Sequence, residues 1–403
     1  MKKQSASAGE EAFAQCLAFF QADKIILFVR AEETLKTAFP ETHKAHREEL
    51  RRMRAVCDDA LGLVRQLEHP RLEGWRIIRE PSDPEGVRVY HRETLGSPIH
   101  GIMCEAVMDA PLEAVLVLLN EIDLFGQWLP FIGGSRQLSR TTPMQRSAWV
   151  SVWLPYPVWH RDVCLAARAF DCLDEDNCVV LVLRSCVDEP AAPQPAKGTL
   201  RMDVDFGVLQ LIPLGPKRTR VRALGHTDPK MAIVPATLIN WIATKVCHIG
   251  IKTWEAEAVR ISNGHGRGDH ARRVVSDPVF YGWLRGRLAD YFAMQQNKHA
   301  QSAAGGHAAA AADGKVDEDA SSAAAGAAES DGAAAAGPAV TESDGAAAAG
   351  AAVTESDSAT SAECLDGPAG DNAATSGANS TMGIDAAAEE NPTGGDDAAI
   401  AAG

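Results

Sequence analysis

Between residues 147 and 227 five short runs of strand character follow one another, at 147–154, 161–170, 178–187, 199–213 and 217–227. Only turns separate them. Parallel neighbours need crossover connections of a dozen or more residues, usually a helix, and there is no room for any. The runs therefore predict a meandering antiparallel sheet. Period-two alternation also begins after Trp75, where Val87, Val89 and His91 alternate with Arg88 and Tyr90 behind the turn Pro81–Gly86. Between these stretches, 111–122 has helical spacing, with Pro111 at its first turn and Leu112, Val115, Leu116 and Leu119 facing inward. After the last strand, Pro235 opens a long helix over 235–260. Ile239, Ile242, Val246, Ile249, Thr253 and Ala256 recur there at steps of three and four. The stripe is a core-packing face and, in a functional reading, the cover of a cavity. The fold class is α+β, a curved antiparallel sheet around a long C-terminal helix.

Helices flank this unit. Residues 11–38 read as one helix with Phe13, Leu17, Phe20, Lys24 and Leu27 on a partly apolar face, ended by Pro40. A second runs from about Thr42 to Leu67, with Leu50, Met53, Cys57, Leu61, Val64 and Leu67 on one side and Arg51, Arg52 and Arg54 opposite, a solvated face. Beyond the Gly-rich linker Asn263–His270, Asp277 caps a final helix whose first position is Pro278. Phe280, Trp283, Leu284, Leu288, Tyr291 and Phe292 form its apolar side, with Arg285 and Arg287 beside them. Docking on the domain is the favoured reading, membrane-surface or partner binding the other.

Charge divides the chain again. Of 39 Lys/Arg and 54 Asp/Glu, residues 301–403 hold one lysine (Lys315) and 18 acids, which leaves 38 and 36 to residues 1–300. The net charge of −15 thus belongs to the C-terminal segment. That segment is Ala/Gly-rich, repeats Glu-Ser-Asp with a period of 13 from Glu329, and has no aromatic residue. It cannot bury enough apolar surface to offset the entropy of ordering it, so a disordered acidic tail is expected. The expected organisation is 1–69 helical, 70–262 a sheet-and-helix domain, 263–300 linker and amphipathic helix, and 301–403 tail.

No run of 18 apolar residues exists, and Met1–Glu11 lacks the apolar core of a secretory signal. The nine cysteines are scattered without a C-x-x-C, which reads as free thiols in a reducing compartment; the site is cytoplasmic on this reading. The chain has no nucleotide-binding glycine loop, no nucleophile elbow and no basic excess for nucleic acid. His265 and His270 have a metal-compatible spacing but lie in the Gly-rich linker. Asp174, Glu175 and Asp176 fall where a hairpin must turn, from Leu173 to Asn177. Asp203 and Asp205 share one side of a strand, as an acid/base pair or a solvent-facing edge. No catalytic residue, metal or cofactor is expected.

An ordered set of short motifs adds to this. Gly86-Val-Arg-Val-Tyr-His-Arg92 is followed by Cys104-Glu-Ala-Val-Met-Asp-Ala-Pro111, Trp128-Leu-Pro130 and His160-Arg-Asp162. Then come Ser185-Cys-Val-Asp-Glu-Pro190, Lys197-Gly-Thr-Leu-Arg201, Thr227-Asp-Pro229 and Pro235-Ala-Thr-Leu-Ile-Asn240. Over about residues 70–260 the set resembles the START (steroidogenic acute regulatory protein-related lipid transfer) family. The resemblance implies a helix-grip (START/Bet v 1-like) fold enclosing one lipid in an internal tunnel, and non-covalent exchange of that lipid between membranes. A cyclase or aromatase on the same fold, or a lipid-sensing interaction module, are the alternatives it leaves.

Two departures shape the ligand expectation. Where family members often carry Gly-Trp before the closing helix, this chain has Ala232-Ile233, then Val234 and Pro235. The buried Glu–Arg pair of sterol-binding members falls on Ala148 and Ala167, which favours a phospholipid or other acyl lipid over a sterol. Strand parity then places Ala148, Val150, Val152 and Leu154, with Val163, Leu165 and Ala167, on the lumen side. Trp149, Trp153 and Arg168 face away. Ile239, Ile242, Val246 and Ile249 complete the lipid-binding set. Arg184 is either a ligand for a phosphate head group or an outward arginine on a sheet edge. Met231, Ile233 and Val234 form an apolar loop expected to touch the bilayer. The expected partners are a lipid and, transiently, a membrane surface.

Overall fold

The computed structural model describes residues 2–70, 74–93, 97–154, 159–186, 189–230, 236–265 and 268–313, and the side chains of these except at 2–6, 236–242, 299 and 301–313. In chain order the elements are α1 (Lys2–Gln21), α2 (Ile25–Ala38), α3 (Pro40–Ala45) and α4 (Arg47–Glu68), then β1 (Arg76–Arg79), β2 (Arg88–Glu93) and β3 (His100–Met108). They continue with α5 (Leu112–Asn120), α6 (Phe125–Trp128), β4 (Ile132–Thr142), β5 (Gln145–Val152), β6 (His160–Cys172), the single turn α7 (Leu173–Asp176) and β7 (Cys178–Ser185). Last come β8 (Thr199–Arg201), β9 (Asp203–Gly215), β10 (Arg218–Asp228), α8 (Ala236–Ser262), α9 (Gly268–Ser276) and α10 (Pro278–Asp313).

The sheet runs β1-β2-β3-β10-β9-β7-β6-β5-β4, antiparallel throughout, and β8 adds a short parallel pairing to the start of β6. The meander expected from 147–227 is present, and α8 closes on the sheet after its last strand. This is the helix-grip arrangement. Strands β3 and β4 go beyond the sequence expectation; β4 (Ile132–Thr142) carries Gly133, Gly134 and Ser135 and lies at the sheet edge, half-buried to exposed. An edge strand with little apolar side chain gives no alternation to read.

Both faces of the sheet are covered. On the outer face, Phe13, Ile25, Phe28, Leu50, Met53 and Leu67 of the N-terminal helices pack on Tyr90, Met103, Phe170, Val180 and Val208. On the inner face, α5, α8 and α10 pack Val115, Leu118, Trp254, Tyr281 and Leu288 with Val89, Ala106, Leu211 and Val221. Tyr90 beside Val89, and Val180 beside Val179, show why these strands carry apolar residues at both parities.

Two helix expectations need correction. The single helix of 11–38 is two, α1 and α2, because Asp23 takes a left-handed turn (φ 57°). Its carboxylate accepts from Arg168 Nε at 2.7 Å, and its carbonyl accepts from the Asp171 N–H at 3.0 Å. Burial raises the Asp23 pKa, and the Arg168 hydrogen bond and charge oppose the rise. Arg168 also lies over Phe20 at 4.5 Å, so it faces away from the inner side, as parity predicts, and holds the helical layer to β6. Pro40 does not merely end a helix; it is the first residue of α3.

The second correction concerns α8. Its buried apolar positions among the described side chains are Ala243, Ile251, Trp254 and Ala258, with Glu257 also buried and Cys247 half-buried. Val246 and Ile249, on the stripe read from the sequence, are 36% and 38% exposed. The inner face is turned by about one residue, close to 100°, from that stripe. Thr253 is half-buried and Ala256 exposed. The backbone at Ile239 and Ile242 is helical, but their side chains lie outside the described residues. Met231, Ile233 and Val234, expected from the sequence to touch the bilayer, also lie outside them, as does everything beyond Asp313. Helix α10 itself runs past residue 301, where the sequence reading begins the tail.

Candidate functional site

Two cavities open on the inner face. The first, about 430 Å³, lies between β3, β10, β9 and α8. Ile102, Cys104, Gly207, Ala223 and Cys247 line it, with His100 and Thr227 among its few polar residues. The neighbouring Cys247 thiol and burial push the Cys104 thiol up, so it stays protonated. All eight cysteines among the described residues are free.

The second cavity, about 210 Å³, lies under α5 and α10. Its floor is Ala148 and Val150 of β5, Leu165 and Ala167 of β6, and Leu181 of β7; its roof is Leu116, Leu119, Leu284 and Leu288. Leu183 of β7 lines both cavities and stands between them. The sheet makes room for it at Gly207, where a Cβ would lie 2.5 Å from the Leu183 Cδ1.

Of the residues assigned to the lumen by parity, Ala148, Val150, Leu165 and Ala167 thus come together in one wall. Val163 is buried and Val152 and Leu154 half-buried, but none of these three lines either cavity. Trp149 faces away and donates through Nε1 to Asp162 at 3.0 Å; Trp153 is half exposed. Arg184 is on the outer side, where its guanidinium donates to both Asp59 carboxylate oxygens at 2.7 and 2.9 Å and to the Asp205 carbonyl at 2.6 Å. It pins α4 to the sheet and reaches neither cavity, so the outward alternative is the one realised.

Helix α10 is the larger surprise. Asp277 caps it as expected, accepting from the Phe280 N–H at 3.1 Å. Its apolar side then forms part of the second cavity rather than only docking beside it. Arg287 reaches Asp171 through Nε at 2.6 Å and Nη2 at 3.0 Å, and Asp174 at 2.9 Å; Lys24 meets the same two acids at 3.5 and 3.1 Å. The acidic turn is therefore a clamp for α10 and α2. Asp174 is pushed up by its partial burial, but hydrogen bonds from Lys24 and Arg287 outweigh that and hold it below the usual carboxylate value.

Sequence reasoning missed Arg146. It lies two residues before Ala148 on β5, opposite Ala167 of β6, and lines the second cavity. Parity already contained it, since 146 shares the phase of 148 and 150. Strand β5 begins at Gln145, two residues before the run read from the sequence. The remaining sequence candidates are peripheral: Asp203 and Asp205 sit at the exposed start of β9, paired with Lys230 and His226, and His270 is buried at α9 while His265 is exposed. Among the described residues no group of three or more His, Cys, Asp or Glu is arranged to hold a metal, and no helix is long and apolar enough to cross a membrane.

No family model and no curated protein matches the chain. Solved structures similar to it include human STARD10, at 20% identity over 55% of this chain and 87% of that one, with a TM-score of 0.43. A STAR-related lipid transfer protein fragment from Xanthomonas axonopodis is 22% identical over 46% of this chain and 98% of that one, TM-score 0.38. The Zhui aromatase/cyclase from a Streptomyces species is 11% identical over 40% and 94%, TM-score 0.26. The domain itself has the helix-grip arrangement, an antiparallel sheet that grips a long closing helix, with one apolar cavity under α8 and a second under α5 and α10.

Proposed function

We propose that this protein binds a lipid in the cavities of its inner face and carries or exchanges it between membranes. The observation that supports this reading is the pair of apolar cavities meeting at Leu183 beneath three helices. An apolar cavity replaces water around an alkyl chain at about 0.8 kcal/mol per methylene buried, which lets a water-exposed protein hold a molecule that otherwise stays in a bilayer. Leu183 alone divides the two cavities, so a shift of its side chain would join them into one internal channel along the strands. An acyl chain suits it better than a sterol, because the floor at Ala148 and Ala167 carries no acid–base pair.

Membrane contact would occur at the end of the sheet where β5 leaves and β6 enters. Trp153 and Trp159 are 50% and 60% exposed there, and Arg161 joins that end to Pro229 through a 2.7 Å hydrogen bond from Nε to the carbonyl. Exposed tryptophans favour the bilayer interface. The expected bilayer residues Met231, Ile233 and Val234 follow Pro229 in the chain. Native mass spectrometry of the full chain purified from cells tests the proposal. A stoichiometric lipid supports it; an empty protein that also fails to extract lipid from liposomes overturns it. Chemical conversion of the bound lipid in the same sample would instead identify an enzyme.

A further inference from the structure

Arg146 differs from the other cations near the second cavity. Arg287 is matched by Asp171 and Asp174, and Arg140 by Asp277 at 3.0 Å. Arg146 has no carboxylate within ion-pair distance among the described residues. Its Nη1 donates to the Asn120 carbonyl at 2.8 Å and to Gln137 Oε1 at 3.3 Å, and its Nη2 to the Pro143 carbonyl at 3.4 Å. These acceptors are neutral, and they use three of the five N–H donors. Nε–H and one Nη2–H have no acceptor among the described residues. Burial, and then the charge of Arg140, lower the Arg146 pKa. The nearby Glu121 carboxylate partly offsets this, but it is engaged with the Tyr281 hydroxyl at 2.5 Å and with Arg273 at 3.8 Å.

The position is as informative as the missing partner. Pro143 and Trp283 line the same cavity and are exposed, so they mark its rim, with Arg146 beside Pro143. Beyond it the walls are Ala148, Leu165, Ala167 and Leu181. At about 210 Å³ the cavity is smaller than the roughly 300 Å³ at which pockets for drug-sized ligands begin, so it suits one slender chain rather than two.

We propose that Arg146 is the head-group anchor of the second cavity and that the ligand class is a single alkyl chain ending in an oxyanion, a carboxylate or a phosphate. The inference rests on the lipid-binding reading above. The two free N–H groups supply a charge-assisted pair to the oxyanion at the rim, and the chain runs inward toward Leu183.

The test measures binding of dodecanoate, dodecyl phosphate and dodecanol to the full chain by titration calorimetry, with Arg146→Met and Arg146→Lys alongside. The wild type is expected to bind at least one anion tenfold or more tighter than the alcohol. Arg146→Met should abolish that preference, so that the anions bind no tighter than the alcohol, and Arg146→Lys should keep part of it. Which anion binds tighter assigns the head group as carboxylate or phosphate. Equal binding of all three by the wild type, or an undiminished preference in Arg146→Met, overturns the anchor but leaves the cavity reading intact. Binding of none of the three overturns both. Should Arg146→Met lose its cooperative melt, the wild-type ratio and Arg146→Lys decide.

Discussion

Arg287 holds Asp171 with two nitrogens, at 2.6 and 3.0 Å, across the gap between the last helix and the far end of β6. Both side chains are largely buried, so the pair is an anchor rather than a surface ornament. Removing one member leaves a buried charge, which typically costs about 3–5 kcal/mol. Arg287→Met is expected to destabilise the protein by about 3 kcal/mol in denaturant unfolding, the lower end because Lys24 still faces Asp171. It should also speed amide exchange along 278–298 ahead of the sheet. Equal loss of protection everywhere would show that α10 is not a separately opening wall.

Leu183 is the partition between the cavities. Leu183→Ala should unite them at a stability cost of about 2 kcal/mol, near the bottom of the usual range because the side chain is only half-buried. The alkyl chain length that binds most tightly should increase by several methylenes, read from a homologous series of fatty acids. Gly207→Ala acts in the opposite sense by pushing Leu183 into the cavities. An unchanged chain-length optimum in both variants would remove Leu183 as the divider.

The exposed Trp153 and Trp159 give the membrane proposal a direct check. Replacing both with serine should reduce co-sedimentation with liposomes severalfold and slow lipid transfer, while binding of a water-dispersed ligand stays the same. The pair Met231→Asp with Ile233→Asp should do likewise. If transfer survives both sets of changes, the bilayer meets another surface.

Acid sensitivity follows from His91. Burial lowers its pKa below 6.5, with a further push from His100 and Arg76 against the opposing charge of Glu93. Unfolding therefore takes up a proton below pH 6.5, so this contribution to stability is complete above that pH and is lost as pH falls through it toward the folded-state value. His91→Gln should flatten the pH dependence of the melting temperature between pH 6.5 and 5. A steeper profile in that variant would contradict the sign.

Much of this architecture could be read from residue patterns. The spacing of strand runs demanded antiparallel pairing, and Pro111, Asp277 and Pro278 marked helix starts that the structure keeps. What escaped notice has physical reasons. Edge strand β4 is built of small and polar residues, and Asp23 turns the chain by a left-handed conformation stabilised from 145 residues away by Arg168. The inner face of α8 was misplaced because Val246 and Ile249 are apolar yet half exposed, while Ala243 and Cys247, small enough to approach the sheet, do the packing. Arg146 was hidden by a strand boundary set two residues too far on.

The covering of the sheet's outer face by α1, α2 and α4 has a consequence for the proposed lipid site. A sheet with one wet face can bow outward as its contents grow. Here Arg168 and Arg184 rivet that face to a helical layer, so the strands have little freedom to bulge. Girth is then fixed, and any adjustment must come from the helices of the opposite side or from lengthwise filling. On the lipid-binding proposal such a container would work as a ruler, discriminating among chains by how far they reach rather than by how thick they are.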